Sequence, residues 1–154
     1  MNLLASEASR ALLLVAIAVL GGMIWMTWRT LRIPVAAPDR LVAELRLAQF
    51  GAVLLALVAG ASLGLAAVNE ARLGIAIEAA LALAFFSVAT IAPLRDPREA
   101  LTVLALAFGA HALADISHRP GLLPDHIAPT WFTVGCALLN FFIGVLCYLP
   151  VLRR

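Results

Sequence analysis

Leu47-Ala-Gln-Phe-Gly-Ala-Val-Leu-Leu-Ala-Leu-Val-Ala-Gly-Ala-Ser-Leu-Gly-Leu-Ala-Ala-Val68 is a run of 22 residues without one charge. A helix crosses the hydrocarbon of a bilayer with roughly 17–25 predominantly apolar residues, and this run has that length and composition. Small residues recur along it at four-residue steps, Ala52, Ala56, Gly60 and Gly64. Such a stripe lets helix backbones approach closely, which marks a packing face in a solvent that gives no hydrophobic drive between helices.

Reading outward, Arg32-Ile-Pro-Val-Ala-Ala-Pro-Asp-Arg40 reads as an extended loop, because each proline disfavours helix in the residue before it. Ahead of it lies a first span from Ala11 to about Trp28, with Gly21-Gly22 as a kink site. It is too long for a signal-peptide core, carries Glu7 beside Arg10 and lacks a small-residue cleavage site, so it is expected to be retained. On the other side, Asn69–Arg72 turns the chain into a third span, Leu73 to Ala92. Pro93–Arg98 breaks the pattern, and Pro97 signals the start of a fourth span, Glu99 to Ser117. A loop with three prolines, Arg119–Pro129, leads to the fifth, Thr130 to Leu149. The expectation is an all-α polytopic membrane helix bundle: one transmembrane domain over residues 1–154, with five transmembrane helices at about 11–28, 47–68, 73–92, 99–117 and 130–149.

Composition agrees. The 154 residues are 64% hydrophobic and 13% charged, with a mean hydropathy of +1.02. Soluble domains run near 45–50% apolar and about a quarter charged. A soluble enzyme, a disordered tail and a nucleic-acid binder are thereby excluded. The net charge of +2 is too small to argue for an anionic partner. Cys136 and Cys147 are too few for a disulfide scaffold. On one helix they lie about 16 Å apart, beyond disulfide reach.

Cytoplasmic loops of membrane proteins carry the arginine and lysine excess. With five spans, one side holds Arg10, Arg72 and Arg119, and the other holds Arg29, Arg32, Arg40, Arg46, Arg95, Arg98, Arg153 and Arg154. The bias predicts an outside N-terminus and a cytoplasmic C-terminus. Trp25 and Trp28 then fall at the inner interface and Trp131 at the outer one, as an aromatic belt requires.

Ionisable residues within a span are costly and point to function. Glu78 lies about 8 Å into the third span. Its helical neighbours Gly74, Ile75, Leu81 and Ala82 include no base, so a charge partner must come from another helix. In the fourth span, His111-Ala-Leu-Ala-Asp115-Ile-Ser-His118 places three ligand-type side chains at i, i+4 and i+7, within an arc of about 60°. Histidine and aspartate one turn apart can chelate a cation such as zinc. Alternatively, the carboxylate fixes the tautomer of one imidazole and raises its basicity. His111 and His118 are about 10 Å apart along the axis, awkward for one metal, so Asp115 with one of them would form the site. Glu78, or the loop pair Asp125-His126, would complete it.

Depth gives the pattern its meaning. The predicted orientation puts Glu78, His111, Asp115, His118, Asp125, His126 and Cys136 in the outer half, able to converge on one outward-facing pocket. The inner half offers chiefly Gln49 and Thr90, with Asn140 near mid-membrane. Plainer readings stay open: Asp115 pairing with Arg119, His118 facing headgroups, Glu78 as an interhelical hydrogen-bonding group, Cys136 as a small buried apolar residue, and Asp125-His126 solvated.

Residues 70–145 resemble a family of small uncharacterised bacterial integral membrane proteins with a helix-borne His-x3-Asp-x2-His motif. The matching positions are His111, Asp115 and His118, then Pro129-Thr130 and Gly135-Cys136, with Glu78 upstream. The family motif often continues with a second histidine where this chain has Arg119, and an aspartate follows near Asn140. The resemblance implies a multi-pass protein of the bacterial inner (plasma) membrane and no particular activity.

Three functions fit these residues. In the first, an intramembrane enzyme acts on a lipid-like substrate. Either a divalent metal (Zn or Fe) on His111, Asp115, His118 and Glu78 activates water, or His111–Asp115 is the general base and Glu78 the acid. Against it, no HExxH, nucleophile elbow or phosphate-cradling glycine loop is present. The second is an accessory or cofactor-binding subunit of a larger membrane complex. The third is a proton or cation transport module. Membrane lipids are the expected partners, with a homo-oligomer or larger complex open and nucleic acid excluded.

Overall fold

The computed structural model describes residues 7–68, 72–118 and 128–153. It contains five α-helices: α1 (Glu7–Arg32), α2 (Pro38–Val68), α3 (Arg72–Ile91), α4 (Pro97–Ser117) and α5 (Thr130–Leu152). A single 3-10 turn, Ala92–Leu94, links α3 to α4. There is no strand among the described residues. All five helices are long and apolar enough to cross a membrane.

The helices start where backbone chemistry allows. Pro97 opens α4 and Pro38 opens α2, positions at which proline's missing N–H has no intrahelical partner to lose. The α2 start corrects the extended loop expected up to Arg40, and the helix that holds the second expected span begins ahead of Leu47. Pro34 and Pro38 gave that segment its extended reading. In fact Arg40 and Glu44 are one helical turn apart and neutralise each other inside the bundle.

α4 sits at the centre: 44% of its most apolar stretch is buried, against 11% for α1. It packs on α5 along one side and α2 along another. Leu47, Leu55, Leu101, Leu104, Phe108, Ile143 and Cys147 are fully buried between these three helices. The backbones approach closely at Gly144 of α5, where an added Cβ would lie 3.1 Å from the Ala105 carbonyl and 3.3 Å from Phe108 Cβ. The stripe expected on α2 packs differently. Its buried face runs through Ala48, Ala52, Leu55, Ala59 and Ala66, whereas Gly64 is exposed with nothing within 4 Å of a Cβ. Outward, Leu14, Leu57, Leu83, Leu106 and Leu113 are each more than 60% exposed. A continuous apolar surface of that kind suits lipid.

The end of the bundle where α1 and α5 finish and α2 begins is stapled by polar contacts. Proline inside a helix leaves the carbonyl four residues earlier without its donor. Pro150 does this to Leu146, and Thr27 Oγ1 of α1 donates to that carbonyl at 3.2 Å. Arg40, only 1% exposed, bonds Glu44 Oε1 at 2.6 Å, the Pro150 carbonyl at 3.2 Å, the Ile33 carbonyl at 3.3 Å and the Thr30 carbonyl. Arg98 Nε approaches the other Glu44 oxygen at 3.5 Å. Arg153 donates to the Leu31 carbonyl. One guanidinium thus caps the end of α1, where the Thr30 carbonyl also accepts from the Ile33 N–H at 3.2 Å, and the Pro150 carbonyl of α5. This half was expected to hold chiefly Gln49 and Thr90. Both are exposed, and Thr27, Thr30, Arg40 and Glu44 are buried polar groups of that half.

Candidate functional site

At the opposite end, the start of α3, the end of α4 and the first half of α5 bring ionisable side chains together. Glu78, His111 and Asp115 are 3–5% exposed, and Asn140 is fully buried. The helical period explains the grouping. His111, Asp115 and His118 fall on one face of α4, and Asn140 belongs to a buried stripe of α5 with Ala137, Gly144 and Cys147.

Two pairs are visible. His118 Nε2 lies 2.9 Å from Glu78 Oε1, joining α4 to α3. The approach is close without being aligned as a hydrogen bond, and Oε1 has no aligned donor among the described residues. The second pair is a triangle. Asn140 Nδ2 donates to Asp115 Oδ2 at 3.0 Å and lies 3.1 Å from His111 Nδ1, and these two acceptor atoms are 3.3 Å apart. The amide orientation follows from charge, because turning it over would set Asn140 Oδ1 against the carboxylate. As it stands, Oδ1 is buried without a donor among the described residues.

The triangle has simple proton accounting. One proton fits on the Nδ1–Oδ2 edge. On the nitrogen, it makes His111 the donor to Asp115. On the oxygen, it makes Asp115 a neutral acid that donates to Nδ1, whose one lone pair is then taken. In both states Asn140 holds the carboxyl oxygen fixed. Phe85 of α3 lies against the His111 ring, with centroids 4.5 Å apart and planes inclined at 32°, so the imidazole is held from a third helix.

Two small cavities flank the cluster, each about 10 Å³, room for about one water molecule apiece. Glu78, Asp115, His118 and Ser62 of α2 line both. His111 and Phe85 close one, and Phe132 and Thr133 close the other. On the far side of α5 runs an apolar groove of about 650 Å³ between α1 and α5, with Cys136 on its wall.

Of the seven residues expected to converge, Glu78, His111, Asp115 and His118 do so. Asp125 and His126 lie outside the described residues, as does Arg119, the alternative partner of Asp115. Cys136 is half-buried and faces the groove. Glu78 points into the bundle, with a partner from another helix as its neighbours required. The expected metal set of His111, Asp115, His118 and Glu78 gains no support. Among the described residues no three His, Cys, Asp or Glu side chains are placed to hold one ion. The four divide into two pairs, and His111 Nδ1 already faces Asp115 and Asn140. In the sequence, Asn140 stood out for its depth and for lying near the aspartate of the resembling family. Its place among small residues, Ala137-x2-Asn140-x3-Gly144-x2-Cys147, is the signal that would have turned it inward.

No known protein family matches this chain, and no curated protein or solved structure does either. The resemblance of residues 70–145 therefore stands on its motif residues alone.

Proposed function

We propose that this chain is a multi-pass protein of the bacterial inner membrane, with its N-terminus outside, acting as an acid–base enzyme on a lipid-like substrate. The observation that carries the reading is the burial of two carboxyl–imidazole pairs, Glu78–His118 and Asp115–His111, around water-sized space. Ionisable groups are expensive in such surroundings and are retained where they move protons or bind polar groups. His111, oriented by Asp115 and Asn140, is the general base that takes a proton from the reacting group. Glu78, with His118, is the acid that returns one. The chemistry is that of side chains in pairs, which separates it from the metal-dependent variant. The arginine bias favours the orientation, even with Arg40 withdrawn into the bundle. Transport gains no support: Leu55, Leu104, Phe108 and Ile143 fill the path from this cluster to Arg40–Glu44 and offer no step for a proton.

The test uses the full chain in nanodiscs of bacterial inner-membrane polar lipid extract, followed by mass spectrometry of the lipids. Wild type is expected to convert a lipid species, and Asp115→Asn and Glu78→Gln to abolish the conversion with helix content unchanged. Identical lipid profiles for wild type and both variants would overturn the reading.

A further inference from the structure

The cavities beside Glu78, Asp115 and His118 hold a water molecule each and nothing larger. The bulk of a substrate must therefore lie elsewhere. The groove between α1 and α5 offers about 650 Å³, within the 300–1,000 Å³ usual for small-molecule sites. It runs from Ser9 to Leu20 on α1 and from Thr130 to Phe142 on α5. At helical rise that is about 16–18 Å, close to one leaflet of a hydrocarbon core about 30 Å thick. A transmembrane helix from another protein would need a seat twice as long.

The groove has a polar end and an apolar end. Ser9, itself buried, and Thr130 line one end, near the starts of α1 and α5, and Leu20 and Phe142 line the other. Below that point α1 lies against α5, with Met23 fully buried and Thr27 bonded to Leu146. Phe132 belongs to both spaces, lining the groove and also the cavity that contains Glu78, Asp115 and His118. A chain in the groove would thus have its polar end at the wall of the acid–base cluster.

We propose that this groove binds the hydrocarbon chain of a single-chain amphiphile with a small protic head, entering from the leaflet beside the cluster and presenting its head past Phe132. This deepens the function proposed above and rests on it for the reaction, while chain binding stands by itself.

Trp131 lines the groove, so it reports on the occupant. Trp25 and Trp28 are replaced by Phe, and the full chain is placed in nanodiscs with increasing amounts of a brominated long-chain fatty acid. Gly135 is on the groove wall with nothing within 4 Å of a Cβ, so Gly135→Leu starts in open space and adds bulk at the groove. Gly64→Leu adds the same bulk at another open position. The expected result is saturable quenching of Trp131, its midpoint raised at least tenfold by Gly135→Leu and unchanged by Gly64→Leu. Ala16→Phe, blocking from α1, is expected to match Gly135→Leu. Linear quenching that is equal in all variants, or equal quenching by a brominated diacyl lipid, would reduce the groove to ordinary lipid contact and overturn the proposal. A change of oligomeric state in Gly135→Leu would overturn it in favour of a protein interface. Quenching that saturates while Asp115→Asn leaves lipid profiles untouched would sink the enzyme reading and keep the groove. Conversion that survives Gly135→Leu, with no saturable quenching, would do the reverse.

Discussion

Replacing Asn140 by leucine removes an amide of similar size and leaves Asp115 Oδ2 without its fixed donor at 3.0 Å. In soluble proteins a hydrogen bond to a charged group contributes about 1.5–3 kcal/mol. Asn140 Oδ1 has no donor among the described residues, so removing it recovers part of that, about 1 kcal/mol. Side-chain hydrogen bonds between membrane helices average about 0.6 kcal/mol and reach about 1.7. Together these set the expected loss for Asn140→Leu at about 1 kcal/mol. Coupling is the sharper quantity. A cycle of Asn140→Leu, Asp115→Leu and the double variant is expected to give an interaction energy of about 1 kcal/mol, above the roughly 0.3–0.5 kcal/mol at which distant sites still add. Reversible unfolding in mixed micelles, followed by far-UV circular dichroism, measures all four corners. Additive losses would refute the Asn140–Asp115 bond and with it the triangle.

Three further outcomes follow from the packing. Thr27→Val leaves the Leu146 carbonyl without a donor and is expected to cost about 1–2 kcal/mol; in a Pro150→Ala background, where the intrahelical bond returns, the same unfolding assay should find Thr27→Val nearly neutral. Arg40→Met strands Glu44 in the bundle with Arg98 at 3.5 Å and is expected to cost about 3–5 kcal/mol; adding Glu44→Leu should restore most of it, read as recovered thermal stability in detergent. Gly144→Leu must push apart α4 and α5 and is expected to lose about 1–3 kcal/mol, while Gly64→Ala, with open space around it, should gain up to about 1 kcal/mol from helix propensity.

The helices were legible in the sequence because hydrophobic runs of spanning length have few alternatives. Glu78 and the His111–Asp115–His118 stripe were legible for the complementary reason, since ionisable residues in such runs stand out. What stayed hidden was pairing. Nothing in the neighbourhood of Asn140 along the chain names Asp115 as its partner, because the contact depends on how α5 is rotated against α4. The start of α2 stayed hidden for a related reason: its prolines read as an extended loop, and only the carbonyls of Thr30, Ile33 and Pro150 converging from elsewhere make a buried Arg40 guanidinium tolerable. The Gly60–Gly64 spacing was visible yet not used for close packing. Gly144, without a partner at four-residue spacing, supplies the tight contact instead.

The chain has three histidines, which makes ring-nitrogen NMR of histidine-labelled protein in bilayers the most direct test of the buried acid–base cluster. Glu78→Gln should shift the His118 resonances and Asp115→Asn those of His111. Imidazole signals that match free, water-exposed histidine, and stay in place in both variants, would mean that no such cluster exists.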